Sequence, residues 1–293
     1  MLARWLIRLM DSQGLWTKPL GDLAHRFLFW LFQAVPWLRD LLVGRWLGHP
    51  LHAVLTDAPI GILFLVIVFD VLGNPAAAAV ALVVGVLTML AAAVAGFADY
   101  ADTDGKARER ATLHATLMVT ALVLYLVSLA LRFGSGTTNV STGGIWISVL
   151  AFLVLSSAAY VGGDVVYVLG NMVSRHAFRG AGTKWIALEP GEVDGTTGEI
   201  PEGRLVKAKL GINQLVLVRQ GEQILALHDT CAHAGGPLNE GKLVDGGIVE
   251  CPWHYSRYEM ANGHVVQGPS VYDQPSYEVR RREGGGWEAR RRA

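Results

Sequence analysis

The chain has 293 residues and a formal net charge of zero, which gives no electrostatic support for binding nucleic acid or another polyanion. Hydrophobic residues make up 52% and charged residues 17%, below the roughly 25% charged share of soluble domains. Residues 111–163 contain a single charged side chain, Arg132, whereas the sequence after Glu189 is dense in acidic and basic residues. The composition therefore predicts a membrane-embedded region joined to a soluble one.

Residues 1–47 are predicted to form amphipathic helices that lie in the membrane interface. In the first ten residues, MLARWLIRLM, the apolar side chains share one helical face and Arg4 and Arg8 lie on another. Residues 20–47 are rich in Phe, Trp and Leu and are interrupted by arginines. For this second stretch the alternative is a re-entrant element packed against the helices that follow.

Residues 48–170 are predicted to form an all-α bundle of four transmembrane helices. A helix needs about 20 predominantly apolar residues to cross a bilayer. The segments that satisfy this run from Leu51 to Leu72, Ala76 to Ala98, Leu113 to Leu131 and Ile145 to Leu169. We therefore expect a multi-pass membrane protein whose first partner is the lipid bilayer.

The distribution of lysine and arginine predicts how the bundle is oriented. With four spans, one side of the membrane receives the N-terminus, residues 99–112 and everything after residue 169. The loops on the other side contain only one basic residue, Arg132. The positive-inside rule therefore places both the N- and C-termini in the cytoplasm.

The cytoplasmic ends of the predicted spans carry several histidines and aspartates. They are His49, His52, Asp57, Asp99, His114 and Asp164. Imidazoles on different helices of a bundle can be the axial ligands of haem, and His52 with His114 is the predicted pair for a haem b, with His49 as substitute. In the alternatives these residues bind quinone or a metal ion, relay protons, or only satisfy helix ends and a contact to the soluble domain.

The order of these residues resembles a known family. The pattern HPLH, then PIG and FD, then GFADY, then a histidine early in the third span, is similar to DUF2231, a family of four-helix bacterial membrane proteins of unknown function. The resemblance covers about residues 45–170. It implies a bacterial cytoplasmic membrane but brings no established chemistry.

After a short basic linker at residues 171–182, the sequence pattern changes to short alternating runs. The runs are KWIALEP, RLVKAKL, QLVLVRQ, QILALHD, GGIVECP, HVVQGPS and SYEVRRR. The third and fourth, joined by a Gly-Glu turn, predict a β-hairpin. Residues 183–293 are therefore predicted to form an all-β domain, a small antiparallel barrel or sandwich.

Both cysteines of the chain lie in this β region, and each is followed closely by a histidine. The arrangement is Cys231-x-His233 and, further on, Cys251-x-x-His254. Two thiolates and two imidazoles make a four-ligand metal site, and spacing alone leaves zinc and an iron–sulfur cluster open. Zinc fingers usually pair like residues locally, whereas here each loop supplies one cysteine and one histidine, which favours the cluster.

The stretches CAHAGGPLNEGKL and CPWHYSRYEMANGHVVQGP resemble the two cluster-binding loops and the following strand of Rieske [2Fe–2S] domains, over about residues 183–282. The resemblance implies that Cys231 and Cys251 bind the inner iron of the cluster. It implies that His233 and His254 bind the outer iron through exposed rings, where electrons enter and leave.

Four positions bear on the reduction potential, and a fifth departs from the family pattern. Gly236 and Trp253 stand where respiratory Rieske proteins carry a pair of disulfide-forming cysteines, and a reducing cytoplasm agrees with their absence. Ser256 and Tyr258 stand where high-potential members place hydroxyls that bond the cluster and a cysteine sulfur, which implies a raised potential. Alternatively, Ser256 caps a turn and Tyr258 fills the core. Tyr255 replaces the glycine that is usual after this histidine.

The sequence as a whole predicts a membrane-anchored Rieske protein that transfers single electrons at the cytoplasmic face of a bacterial membrane. Its partner would be an unknown redox protein, or haem or quinone in the helix bundle. An electron carrier or oxidoreductase subunit is favoured over a complete enzyme, because no second iron site is evident in the soluble part. The alternatives are a redox-sensing regulatory membrane module and a zinc-binding structural domain. The sequence leaves the oligomeric state open.

Overall fold

The computed structural model describes residues 2–134, 136, 139, 141–177, 184–190 and 200–292. The chain forms two compact units. The first contains Met1–Val35 and Pro50–Asn171, and the second contains Pro36–His49 and Met172–Ala293. Two separate segments of the chain therefore belong to the second unit. The sequence instead predicted domain boundaries at residues 47 and 170.

The α-helices in the described residues, in chain order, are α1 (Leu2–Asp11), α2 (Gly14–Ala34), α3 (Pro36–Val43), α4 (Leu51–Val71), α5 (Pro75–Tyr100), α6 (Gly105–Gly134) and α7 (Thr142–Gly163). A π-helical turn, Asp164–Val168, extends α7. All except α3 belong to the first unit.

Helices α4 to α7 are each long and apolar enough to cross a membrane, which confirms the predicted four-helix membrane region. They pack around a core of buried side chains that includes Leu63, Leu82, Tyr125 and Leu155. Large apolar side chains such as Leu87 remain exposed on the outside of the bundle. An apolar exterior is what a lipid-facing helix requires.

Helix α6 begins several residues before the predicted apolar span, because its polar first turns are fixed to the N-terminal helices. The Arg110 guanidinium lies 2.7 Å from Asp11, and that of Arg108 lies 2.8 Å from Asp22. The Tyr100 hydroxyl also donates to the carbonyl of Gly21 at 3.2 Å. Helices α1 and α2 thus pack at the α5–α6 corner, and their location in a membrane interface stays a prediction.

An ion pair ties three helices together at the opposite end of the bundle. Arg132 on α6 forms two hydrogen bonds to Asp70 on α4, with N–O distances of 2.7 and 2.6 Å. The Arg132 side chain also contacts Ser128 and, on α7, Ser148, both at 3.3 Å. Both charged side chains are 4% exposed, so this pair is the physical reason that Asp70 is tolerated within an apolar segment.

The second unit is predominantly β. Its strands are β1 (Ile186–Pro190), β2 (Val206–Leu210), β3 (Asn213–Gln220), β4 (Gln223–His228), β5 (Lys242–Val244), β6 (Ile248–Glu250), β7 (Arg257–Glu259), β8 (Val265–Gln267), β9 (Ser276–Arg281) and β10 (Trp287–Arg291). Six of them close an antiparallel barrel in the order β1-β10-β9-β4-β3-β2, and the others form a four-stranded sheet, β5-β6-β7-β8.

The predicted all-β domain is therefore confirmed, together with its hairpin, in which Gln220 pairs with Gln223 across the turn between β3 and β4. Strands β5, β7 and β10 were not among the predicted runs. Residues 178–182 of the predicted linker lie outside the described residues.

We predict that Asp70→Asn destabilises the protein in detergent by about 3 kcal/mol, because it leaves the buried Arg132 without a charge partner. Thermal unfolding followed by circular dichroism measures the change. The double variant Asp70→Leu with Arg132→Leu is the matched control and should recover most of the loss. Equal losses in the single and double variants would contradict a role for charge pairing.

Candidate metal centre

The two cysteines begin two loops with the same backbone hydrogen bonds. In the first loop, residues 231–237, the Cys231 N–H donates to the Gly236 carbonyl at 2.8 Å, and the Gly235 N–H donates to the Cys231 carbonyl at 3.0 Å. This loop follows β4 and leads to a short 3₁₀ turn, Leu238–Glu240, before β5.

The second loop, residues 251–256, repeats that pattern between β6 and β7. The Cys251 N–H donates to the Ser256 carbonyl at 2.9 Å, and the Tyr255 N–H donates to the Cys251 carbonyl at 3.1 Å. Gly235 and Tyr255 are thus equivalent positions, and both have left-handed φ values, +92° and +66°. This explains why glycine is usual at the second position, where the tyrosine has a conformational cost of roughly 1 kcal/mol.

The four predicted ligands lie together as two matched pairs. The Cys231 and Cys251 thiols are 1% and 2% exposed and hydrogen-bond to each other. The rings of His233 and His254 have centroids 5.0 Å apart and are nearly perpendicular, at 88°. His254 is half-buried but His233 is only 7% exposed, so the expectation of two exposed rings is wrong for His233.

The pairing bears on the kind of metal centre. The two thiols meet each other, and the two imidazole rings meet each other. A [2Fe–2S] cluster with mixed ligands takes two thiolates at one iron and two imidazoles at the other. The two pairs therefore fit the ligand set of such a cluster.

The loops also leave no spare room around the sulfurs. A Cβ atom at Gly236 would lie 3.0 Å from Cys251 Sγ and 2.9 Å from the Trp253 ring. Glycine is therefore required where the first loop meets the second.

The protonation state of His233 suits metal binding. Burial lowers the pKa of His233 well below its usual range, and the nearby His254, Arg39 and Arg175 lower it further. The ring is therefore neutral at pH 7, the form that binds a metal. The hydrogen bond from Cys231 lowers the pKa of the Cys251 thiol, while burial raises the pKa of Cys231 itself.

Two hydroxyl side chains lie beside the cysteines. The Tyr258 hydroxyl is 3.2 Å from Cys231 Sγ, and both groups are buried. When the sulfur is a thiolate, the tyrosine O–H is the donor. Ser256 Oγ accepts a hydrogen bond from the Ser270 N–H at 3.0 Å, which leaves its own proton free to donate.

A glutamine that the sequence analysis missed holds the first loop in place. Gln274 is 2% exposed; its Oε1 accepts from the Ala232 N–H at 2.8 Å, and its Nε2 donates to the Thr230 carbonyl at 2.7 Å. Gln274 lies on the loop between β8 and β9, far from Cys231 in sequence. A single polar residue in a loop gives no pattern that would identify this role.

Helix α3 also contacts the cluster loops, although the sequence predicted an interfacial helix there. The Arg39 guanidinium lies 3.4 Å from the carbonyl of His254, and Asp40 Oδ1 accepts from the Gly268 N–H at 2.8 Å. Val43 on the same helix is fully buried. Val43 is thus covered, with Gly268 beside it, whereas Trp37 and Leu41 of the same helix are 69% and 47% exposed.

In the first unit, His52 and His114 meet as an approximately symmetric pair. His52 Nδ1 lies 2.8 Å from the Ala92 carbonyl, and His114 Nδ1 lies 2.8 Å from the Ala158 carbonyl. Since a carbonyl only accepts, both Nδ1 atoms carry the proton and both Nε2 atoms have a free lone pair. The ring centroids are 6.3 Å apart with an angle of 76° between the planes.

The other predicted polar residues do not join this pair in one group. Asp164 lies 3.3 Å from the Arg110 guanidinium, Asp99 is 8% exposed, and Asp57 is exposed. His49 belongs to the second unit. Within the described residues, the helix bundle thus brings only the two histidines together as candidate ligands.

Two family models match the chain. Residues 192–278 match the model of the Rieske [2Fe–2S] domain, and residues 48–175 match the model described as predicted membrane protein (DUF2231). Both matches agree with the resemblances seen in the sequence. The β unit is therefore the bearer of a [2Fe–2S] cluster, and the helical unit is a membrane domain.

Curated relatives match the β unit. Ferredoxin CarAc of Metapseudomonas resinovorans is 34% identical over 76 residues, which cover 26% of this chain and 70% of the relative. The ferredoxin component of the p-cumate 2,3-dioxygenase system of Pseudomonas putida is 31% identical over 84 residues, covering 28% and 71%. Among solved structures, the plasma membrane Rieske protein PetC3 of Synechocystis PCC 6803 is 27% identical, with 30% and 86% coverage and a TM-score of 0.24.

Proposed function

The chain belongs to the Rieske [2Fe–2S] family through its C-terminal domain, and from this premise we propose that it transfers single electrons at the cytoplasmic face of a bacterial membrane. The observation that supports this most strongly is the pairing of two buried thiols with two adjacent imidazoles on matched loops. The bound cluster supplies one-electron oxidation and reduction without proton or group transfer.

Each side chain of the site has a role in this proposal. Cys231 and Cys251 hold the inner iron, and His233 and His254 hold the outer iron through neutral rings. The Tyr258 hydroxyl, 3.2 Å from Cys231 Sγ, donates to the thiolate and favours the reduced cluster, which raises its potential. Ser256 is the second hydroxyl available for this purpose.

The approach of a redox partner is expected at His254. Its ring is half-buried, whereas that of His233 is covered. Trp253 and Tyr255, the neighbours of His254 in sequence, are 48% and 38% exposed. An exposed aromatic pair beside the ligand suits contact with a partner protein or with a quinone ring.

Electron transfer and redox sensing make different predictions for membranes. We expect added quinone to reoxidise the reduced cluster rapidly, in one-electron steps, when stopped-flow absorbance is followed in proteoliposomes. A sensor would instead stay reduced and change its structure.

The side of the membrane on which the cluster lies can be tested separately. We expect a membrane-impermeant reductant to bleach the cluster in inverted vesicles and not in right-side-out ones. The opposite sidedness would contradict the cytoplasmic location.

A second redox centre in the helix bundle is supported by the His52–His114 geometry. The His52 and His114 ring centroids are 6.3 Å apart, and each ring has a lone pair on Nε2 because its Nδ1 donates to a carbonyl. These two imidazoles, on different helices, would be the protein ligands of a haem, which would supply one-electron chemistry in the bundle. Haem brings four nitrogens of its own and needs only two protein ligands, and no third ligand joins the pair within the described residues.

We predict that protein expressed with sufficient haem shows a Soret band that is lost in His52→Ala and in His114→Ala. His25→Ala is the matched control, because His25 lies on α2 and stacks on Phe29 instead. Pyridine haemochrome analysis should give about one haem per chain. A wild-type protein without a Soret band, or one whose band survives both substitutions, would rule out this haem site.

A further inference from the structure

The chain segment that follows the last membrane span contacts the first ligand loop of the metal centre. Residues 172–177 belong to the second unit, and they precede residues 192–278, which match the Rieske model. The Arg175 N–H donates to the Ala232 carbonyl at 3.2 Å. A backbone hydrogen bond thus joins this segment to the loop that begins at Cys231.

The buried side chain of this segment is that of His176. The residue is 7% exposed, whereas its neighbours Arg175 and Ala177 are exposed. Its Nε2 atom lies 2.8 Å from the Thr230 carbonyl, and since a carbonyl only accepts, Nε2 carries the proton and donates. The ring also packs on that of His228, the last residue of β4, with centroids 4.6 Å apart. A hydrogen bond and ring packing together fix His176.

The peptide groups on both sides of Cys231 are held by side chains. The Thr230 carbonyl, before the cysteine, accepts from His176 and also from Gln274 Nε2 at 2.7 Å. The Ala232 N–H, after the cysteine, donates to Gln274 Oε1 at 2.8 Å. Hydrogen bonds to the groups around a ligand restrict where the ligand atom can lie. The Cys231 sulfur therefore has a position that His176 and Gln274 set jointly.

The position of the Cys231 sulfur decides how well it bonds the Tyr258 hydroxyl. The oxygen–sulfur distance is 3.2 Å, and both groups are buried. A hydrogen bond weakens steeply when its geometry is disturbed. In the proposed function this bond raises the potential of the cluster. A residue that fixes the first ligand loop therefore acts on the potential through Tyr258.

We propose that His176 is a positioning residue for the cluster: its N–H holds the Thr230 carbonyl so that the Cys231 sulfur stays within hydrogen-bond reach of Tyr258. The proposal rests on the proposed electron-transfer function. It adds that a segment outside the residues that match the Rieske model, the one that continues from the last membrane span, completes the metal centre and helps to set its potential.

The first test is a redox titration of the detergent-purified full chain, followed by electron paramagnetic resonance. His176→Phe keeps a ring against His228 but removes the N–H, so we expect a lower midpoint potential than that of the wild type. His176→Gln retains an N–H donor and should keep most of the wild-type value. His264→Phe is the matched control, because the His264 side chain is 58% exposed and pairs with Asp273. Its midpoint should equal that of the wild type.

A double-mutant cycle with Tyr258→Phe tests the route of the effect. Tyr258→Phe removes the hydroxyl through which His176 acts, so the addition of His176→Phe should lower the midpoint no further. The proposal is overturned if His176→Phe alone leaves the midpoint unchanged, if His176→Gln lowers it equally, or if the two drops add in the double variant. A wild-type protein without the reduced-cluster signal would instead refute the proposed function, so the two failures are distinguishable.

A milder variant loosens the same segment and leaves His176 in place. Tyr272→Phe removes the hydroxyl that donates to the Met172 carbonyl at 2.9 Å, at the start of the segment. We expect its midpoint to fall in the same direction as that of His176→Phe, and by less. This variant decides the matter if His176→Phe does not assemble a cluster: a lowered midpoint supports the proposal, and an unchanged one overturns it.

Discussion

The site depends on one constraint: two loops from different strands must each bring one thiol and one imidazole to the same place. Identical backbone hydrogen bonds at Cys231 and Cys251 meet this constraint, because they give both loops the same turn. Gly236 permits the close approach of the loops. The barrel and the small sheet supply the rigid strands from which the loops project.

Further contacts come from segments distant in sequence. Gln274 on the β8–β9 loop fixes the first loop, and helix α3 fixes the second through Arg39. Each makes polar contacts to backbone atoms of a ligand loop. The same packing sets the charges near the site. Burial keeps the His233 ring neutral, and it places the Arg39 guanidinium where solvent screens its charge weakly.

The sequence predicts the features that repeat or have a period. The four apolar spans, the β3–β4 hairpin and the ligand set are visible as patterns in the printed chain. The sequence does not show that α3 belongs to the β unit. An amphipathic helix has the same sequence pattern whether lipid or protein covers an apolar residue such as Val43. The sequence shows that Tyr255 replaces the glycine usual at this position, but only the structure shows that its φ value is left-handed.

The central claim is that Cys231, His233, Cys251 and His254 hold two irons in a mixed thiolate–imidazole cluster. Mössbauer spectroscopy of the iron-57-labelled, dithionite-reduced protein tests this most directly, with metal analysis of the same sample. The account predicts two irons per chain in two inequivalent sites, one ferric with sulfur ligands and one ferrous with nitrogen ligands. One zinc per chain and no iron signal, or two equivalent irons, would contradict it.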